Sequence, residues 1–305
     1  MVSATVLRTG GGVYDVELED GTLAEASLRG RLKLEQRTGD RVVAGDIVDV
    51  ARQADGSLTI ESVAERRSEL ARTAPGGHGR RAKVIVANVD RVVIVFAAAL
   101  PDPNRRLLDR FLVIAEANEL EPVIILNKTD LVDDDVATAF LAPYQAIGYA
   151  TIRASVVAGT GVDEVRDCLA GRHSVITGPS GVGKSSLLNA VQPGLGLRVA
   201  GVSEVVRKGR HTTVTAQLIP LQAGGYVADT PGLRELGLWG IASDLLPHCF
   251  PEFRERAPDC RFSTCTHMHE PACAVREGVE SGAVDRARYD SYRAMAEETQ
   301  EAPRW

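Results

Sequence analysis

Residues 178–185 have the spacing of a phosphate-binding loop, with three glycines followed by a lysine and a serine. Glycine lets backbone amides turn toward phosphate oxygens, the lysine amine can reach the terminal phosphates, and a serine hydroxyl can ligate Mg²⁺. The alternative is a merely flexible glycine loop, but the flanking strand-like and helix-like segments favour nucleotide binding. We predict Lys184 as a catalytic group and Ser185 as a magnesium ligand. The predicted contacts of the loop are Gly178, Pro179, Ser180, Gly181, Val182, Gly183, Lys184, Ser185 and Ser186.

A second motif follows the apolar run PVIIL and is typical of a segment that reads guanine: Asn127, Lys128, Thr129 and Asp130. The Asp130 carboxylate can accept hydrogen bonds from the guanine N1–H and the exocyclic amine. Adenine lacks that pair of donors, so it would leave the carboxylate unpaired. We therefore expect Asp130 to select GTP over ATP. Ala154 and Ser155 follow the segment YATIR, and we expect a backbone amide there to face guanine O6.

Two further segments complete a set of GTPase motifs. In the run DTPG, we predict that Asp229 acts through Mg²⁺ and that the Gly232 amide contacts the terminal phosphate. In the run GRHTT, Thr213 is the predicted second magnesium ligand. Leu233 stands where Ras-like enzymes have a glutamine that orients the attacking water, so hydrolysis needs another group. His211 is the candidate for that catalytic role; an exposed loop histidine or an RNA contact is an equal alternative.

The base-reading motif precedes the phosphate loop, which reverses the order in ordinary GTPases. Circular permutation explains this order, because the termini of compact domains often lie close together and rejoining them preserves the site. The segment that begins at Asp229 then leads directly into the C-terminal part of the chain. The nucleotide state could therefore reposition that part.

Three cysteines and a histidine crowd a short C-terminal segment, at Cys260, Cys265, His267 and Cys273, with His269 as an alternative to His267. Three thiolates and an imidazole form a closed tetrahedral set for Zn²⁺ and leave no position for water. We therefore predict one structural zinc ion that supports folding rather than chemistry. Free cysteines in a loop are the alternative.

The elements that must position these residues divide the chain into parts and predict a multidomain fold. Residues 1–68 alternate apolar and polar positions between turns, which predicts an oligonucleotide-binding (OB)-like β-barrel. Residues 69–82 form a predicted basic linker. Residues 83–240 alternate apolar runs with helical segments, which predicts a circularly permuted α/β P-loop GTPase domain; its first run, VIVANVDRVVIVFAA, is taken as a strand. Residues 241–305 are predicted to form a zinc-binding module with helices.

Composition limits the environment and the partners. The chain has 305 residues and a net charge of -6, which excludes a uniformly basic nucleic-acid coat. The sequence has no apolar run long enough to span a bilayer and no signal-peptide pattern at its start, so we expect a cytoplasmic protein without a membrane partner. The basic residues between positions 66 and 83 and at 207–210 are candidate RNA contacts, or solvated connectors.

The runs GPSGVGKSS, NKTD, GRHTT and DTPG, with the cysteine and histidine cluster, make the chain resemble the circularly permuted, small-ribosomal-subunit-dependent GTPases of the RsgA family. The resemblance covers nearly the whole length and implies a barrel, a permuted GTPase domain and a zinc module. It implies GTP hydrolysis in late maturation of the small (30S) subunit, stimulated by the subunit and coupled to release. It also implies ribosomal RNA, GTP and GDP as ligands, with Zn²⁺ and Mg²⁺ as cofactors, and it maps a suspected catalytic histidine to His211. We expect a monomer.

Two other hypotheses stay open at this point. An RNA-binding scaffold that holds GTP only as a ligand is motivated by Leu233, and turnover in the presence of ribosomal subunits would separate it from an enzyme. An ATP-using phosphotransferase is opposed by Asp130.

Overall fold

The computed structural model describes residues 1–30, 32, 41–72, 83–197, 216–229, 241 and 243–301. The N-terminal part contains β1 (Val2–Gly10), β2 (Val13–Leu18), β3 (Leu23–Leu28), β4 (Ile47–Arg52) and β5 (Leu58–Val63). The strand order β1-β2-β3-β5-β4 closes on itself because β4 also pairs with β1. Alternate apolar side chains, such as Val6, Val16 and Ile60, fill the interior. The predicted barrel is confirmed, with the five strands of an OB fold.

A short hairpin joins the barrel to the next part of the chain. β6 (Glu69–Arg72) pairs antiparallel with β7 (Lys83–Ala87) in a sheet of their own, so the first four residues of the predicted linker form a strand. The apolar run predicted as one strand is in fact two, because it breaks at Asn88 before β8 (Arg91–Ala97). Asn88 has a φ of +55°, which asparagine tolerates better than most residues. Its side chain donates to Gly45 O at 2.8 Å and accepts from the Arg67 N–H at 2.9 Å.

One residue of the basic stretch offered as an RNA contact belongs to the fold instead. The Arg66 guanidinium donates to both carboxylate oxygens of Asp46, at 2.7 and 3.0 Å, and to Glu69 at 3.0 Å. Its side chain is only 11% exposed. Burial opposes the charge of Arg66, but the two carboxylates outweigh that effect and raise its pKa. Arg66 therefore fixes the barrel to the hairpin.

The central sheet contains β8, β9 (Glu121–Asn127), β10 (Ala150–Arg153), β11 (Arg172–Thr177), β12 (Gln217–Pro220) and β13 (Gly225–Asp229). Its order is β10-β9-β8-β11-β13-β12, and every neighbouring pair is parallel except β12 with β13. The helices of this part are α1 (Arg105–Ala117), α2 (Asp134–Ala146), α3 (Val162–Leu169) and α4 (Lys184–Val191). A single pairing of β1 with β12, Arg8 to Gln217, joins the barrel to this sheet.

Both faces of the sheet are buried, which explains the nearly continuous apolar runs. Along β8, Ile94 and Phe96 pack with α1 and α2, whereas Val93 and Val95 pack with α3 and α4. The chain leaves β8 toward one face and β11 toward the other, although the two strands are neighbours. Ligands of α/β sheets bind at such a switch point, beyond the carboxyl ends of the strands.

The C-terminal part is helical and packs against α1. It contains α5 (Pro251–Arg254), α6 (Ala274–Glu280), α7 (Arg286–Glu301) and two 3₁₀ helices, Leu246–Cys249 and Ala257–Asp259. Phe250, Phe253 and Tyr292 form a ring cluster, and Val113 of α1 belongs to the same core. Among the helices in the described ranges, none is long and apolar enough to cross a bilayer.

A buried ion cluster also joins the C-terminal part to α1. The Arg288 guanidinium donates to Asp109 at 2.7 Å and to the two Glu252 oxygens at 2.9 and 3.2 Å. It lies 4.7 Å from the centre of the Phe250 ring. Burial opposes the charge of Arg288, yet Asp109 and Glu252 outweigh it and raise the pKa of Arg288. The cluster fixes α7 against the central α/β part of the chain.

Candidate nucleotide site and metal centre

The phosphate loop connects β11 to α4, as the sequence predicts. Gly178 and Gly183 have φ values of +132° and +95°, which disfavour other residues. A Cβ at Gly178 would lie 2.0 Å from Val95 O, and one at Gly183 would lie 2.5 Å from Asn127 Nδ2. These glycines are required because the loop presses against β8 and the base motif.

The base motif supports the phosphate loop directly. Asn127 ends β9 with its side chain buried, and its Nδ2 donates to Val182 O at 2.9 Å. Lys128 has a left-handed φ of +58°, and its Nζ donates to Gly181 O at 2.7 Å and to Leu100 O. The two motifs lie far apart in the sequence but form one structural unit at the switch point.

The loop holds its own lysine inward. Lys184 Nζ donates to Gly178 O at 2.8 Å and to Pro179 O at 2.7 Å, so the ammonium group lies across the concave side of the loop. Ser185 and Ser186 occupy the first turn of α4 and are half-buried. The amine, the helix N-terminus and the hydroxyls together suit an anionic ligand with a bound cation.

A neighbouring loop orients Asp130, the residue predicted to select the base. The Ser155 hydroxyl donates to Asp130 Oδ1 and accepts from the Ala158 N–H at 3.0 Å. Thr129 ties the same loop down, since its backbone N–H and its hydroxyl donate to Ala154 O at 3.2 and 3.1 Å. The serine hydroxyl and the Asp130 carboxylate are therefore brought together.

The two backbone amides expected to face guanine O6 donate to protein carbonyls instead. The Ala154 N–H donates to Leu126 O at 2.9 Å and the Ser155 N–H donates to Thr160 O at 2.9 Å, so neither amide is available for guanine O6. Within the described ranges, the N–H of the next residue, Val156, donates to no protein acceptor. In the sequence, the one indication of Val156 is its place directly after Ser155, whose hydroxyl holds Asp130.

Asp229 ends β13, where its Cα pairs with Ile176 of β11, directly beside the phosphate loop. Its backbone position agrees with the predicted motif. The three other predicted site residues, His211, Thr213 and Gly232, lie outside the described residues.

The C-terminal cluster brings four metal-binding donors together. The donor atoms of Cys260, Cys265, His267 and Cys273 all lie within 4.8 Å of one another, whereas His269 is exposed and outside the group. His267 Nδ1 lies 3.6 Å from Cys260 Sγ and 3.4 Å from Cys273 Sγ, and the two sulfurs are 4.0 Å apart. Tetrahedral zinc with ordinary bond lengths would place sulfur atoms about 3.8 Å apart and sulfur and nitrogen about 3.5 Å apart. The residues fit a four-coordinate metal ion.

The surroundings favour the metal-binding form of the histidine but oppose that of two cysteines. Burial raises the pKa of Cys265 to about 12 and also raises the pKa of Cys273, so both thiols need a nearby cation to ionise at neutral pH. Backbone N–H groups of His267, Val275 and Arg276 point at these sulfurs and stabilise thiolates. Burial lowers the pKa of His267, which favours the neutral imidazole that binds metal.

Comparisons with known proteins agree with this geometry. The model of the RsgA GTPase family matches residues 63–239. A Gemmatimonas aurantiaca protein named small ribosomal subunit biogenesis GTPase RsgA is 51% identical over 299 residues, covering 97% of each chain. The crystal structure of YjeQ from Thermotoga maritima is 36% identical with a TM-score of 0.83, over 99% of each chain. The structure of YloQ, described as a circularly permuted GTPase, is 31% identical with a TM-score of 0.78, over 100% of this chain and 97% of that one.

Proposed function

Because this chain belongs to the RsgA GTPase family and is therefore a GTP hydrolase, we propose that its hydrolysis serves late maturation of the small (30S) ribosomal subunit. The observation that carries the proposal is 51% identity over 97% of both chains to a relative whose name states that role. The assembled guanine motif and phosphate loop supply the chemistry that the role needs. In this function the subunit stimulates hydrolysis, and the change to GDP releases the protein.

The geometry around the loop supports the following assignment of the nucleotide contacts. Asp130 accepts from the guanine ring with Ser155 holding its carboxylate, and the Val156 N–H faces O6. The loop amides and Lys184 bind the phosphates, and Lys184 balances the charge that develops on them during transfer. Pro179, Ser180 and Ser186 complete the predicted contacts of the loop.

Magnesium would be held by Ser185 and Thr213, with Asp229 acting through it; when bound, it neutralises charge on the phosphate oxygens. The Gly232 amide would contact the terminal phosphate. Leu233 cannot orient the attacking water, so we propose His211 for that task. A requirement for the subunit to place His211 would explain why stimulation is needed.

The C-terminal cluster is proposed to hold one structural zinc ion through Cys260, Cys265, His267 and Cys273. The donor spacing supports this assignment. When bound, the ion balances the three thiolates and fixes the loop between α5 and α6.

The proposed organisation keeps the barrel at 1–68, the connector at 69–82, the GTPase domain at 83–240 and the zinc module at 241–305. The barrel and the zinc module would bind ribosomal RNA. The protein would act in the cytoplasm as a monomer, without a membrane partner.

The deciding experiment measures GTP turnover by the purified protein with and without small ribosomal subunits, with large subunits and ATP as controls. We expect stimulation by small subunits alone and no turnover of ATP. GTP binding without stimulated turnover would instead support a scaffold that uses GTP only as a ligand, which Leu233 motivates.

A further inference from the structure

An aromatic side chain is exposed on the turn between two metal ligands. Residues 261–264 are all exposed between Cys260 and Cys265. The turn closes with the Cys265 N–H donating to Phe262 O at 3.1 Å, and the Phe262 side chain is 42% exposed. The Arg261 guanidinium lies 5.5 Å from the centre of the Phe262 ring. The two predicted ligands on either side hold the backbone of this turn in place.

The exposed ring borders a cleft of about 360 Å³ between the metal loop and α7. Met268 and Ala296 contribute apolar surface, and Thr264 and His248 contribute polar groups. The volume lies at the low end of the roughly 300–1,000 Å³ range of small-ligand sites. An isolated exposed phenylalanine needs no explanation, but a ring beside a cleft of this size forms a surface on which a planar group can lie.

The charges of the described lining residues favour a neutral ligand over a phosphate. Among the described residues that line the cleft, Arg254 is the single arginine, and its guanidinium already donates to Glu116 at 2.9 Å. Asp244 also lines the cleft and would repel an anion. Its carboxylate and the Thr264 hydroxyl can instead bond the edge of a heterocycle, which has both donors and acceptors.

We propose that this cleft binds one unpaired base of a single-stranded RNA segment, with the base stacked on Phe262. Single-stranded RNA is recognised by stacking bases on aromatic rings or guanidinium planes and by bonding their edges. Phe262 supplies the ring, and Thr264 and Asp244 supply the edge contacts. Arg261 lies outside the cleft and contacts the adjoining backbone. The inference rests on the proposed function and names the chemical group that the C-terminal part recognises.

The test compares three variants of the full, zinc-loaded chain for binding to small ribosomal subunits. Loss of one base stack weakens binding roughly 5- to 150-fold, so we expect that effect for Phe262→Ala. Phe262→Trp should bind within a few-fold of the original protein, whereas Phe262→Leu, which keeps apolar bulk without a π-face, should resemble the alanine variant. Val136→Ala, at an exposed position on α2, is the matched control. Zinc content should be the same in all variants.

A photocrosslinking residue then identifies the occupant. With Phe262→p-benzoylphenylalanine in the complex with small subunits, we expect crosslinks to RNA. Crosslinks to a ribosomal protein or within this chain would overturn the proposal, as would full affinity of Phe262→Ala or Phe262→Leu. If small subunits do not stimulate GTP hydrolysis by the original protein, the proposed function is refuted. If they do, and Phe262→Ala binds them as tightly as the original protein, only the base site is refuted.

Discussion

Alanine in place of Arg288 should destabilise the packing of the C-terminal part against α1. The side chains of Arg288, Asp109 and Glu252 are 2%, 1% and 5% exposed, so the variant would leave two buried carboxylates without their cation. Removing one member of a buried ion pair costs about 3–5 kcal/mol of unfolding free energy, because the remaining charge cannot be solvated. The Tyr144 hydroxyl donates to Asp109 at 3.1 Å and would remain as a neutral donor.

The unfolding free energy lost in Arg288→Ala should depend on pH in a defined direction. Burial raises the pKa of Asp109 above its ordinary value of 3.8, and Arg288 opposes that shift. Without Arg288 the pKa of Asp109 rises further, so the folded state takes up a proton more readily than the unfolded chain. A raised carboxyl pKa contributes stability at low pH that is lost as pH rises through it. Arg288→Ala should therefore lose more unfolding free energy at about pH 8 than at about pH 5.5.

The assay is urea unfolding of the zinc-loaded protein followed by circular dichroism at both pH values. Arg293→Ala is the matched control, because Arg293 lies on the same helix and its 3.7 Å pair with Glu297 is exposed. That variant should change the unfolding free energy by about 0.5 kcal/mol or less. The reasoning would be refuted if the two substitutions lowered the unfolding free energy equally. It would also be refuted if the loss in Arg288→Ala grew as the pH fell.

Three further substitutions test the nucleotide site and the metal centre. Asp130→Asn should weaken GTP binding at least about 100-fold relative to ATP in a competition assay, because its amide cannot accept both guanine donors. Asp134→Asn, at an exposed carboxylate, should leave the preference for GTP unchanged. An unchanged preference in Asp130→Asn would refute the role of Asp130. Gly183→Ala should abolish nucleotide binding measured by calorimetry, because its Cβ would lie 2.5 Å from the buried asparagine of the base motif, and ordinary affinity would contradict the tight contact. Cys265→Ser should lower bound zinc and the unfolding temperature, whereas Cys168→Ser, outside the cluster, should leave both unchanged. Equal zinc in the two cysteine variants would argue against the assigned ligands.

The sequence determined most of what depends on neighbouring residues. The glycines of the phosphate loop, the guanine motif and the cysteine spacing are local patterns, since a few adjacent backbone conformations place their groups. The alternation of apolar residues likewise predicted the barrel strands and the buried sheet, because periodicity reports which faces are covered. The reversed order of the motifs is a property of the sequence itself, since it concerns only their order along the chain.

The tertiary structure decided what depends on distant partners. Asn88 interrupts an apolar run because Gly45 and Arg67 bond its side chain, and no local pattern shows that. Ser155 holds Asp130 through its hydroxyl while its amide bonds Thr160. Arg288 reads in sequence as a charge on a surface helix, yet it is buried against Asp109, 179 residues away in the sequence. The energy of burying a charge depends on partners that only the folded chain brings within bonding distance, so sequence patterns could not specify it.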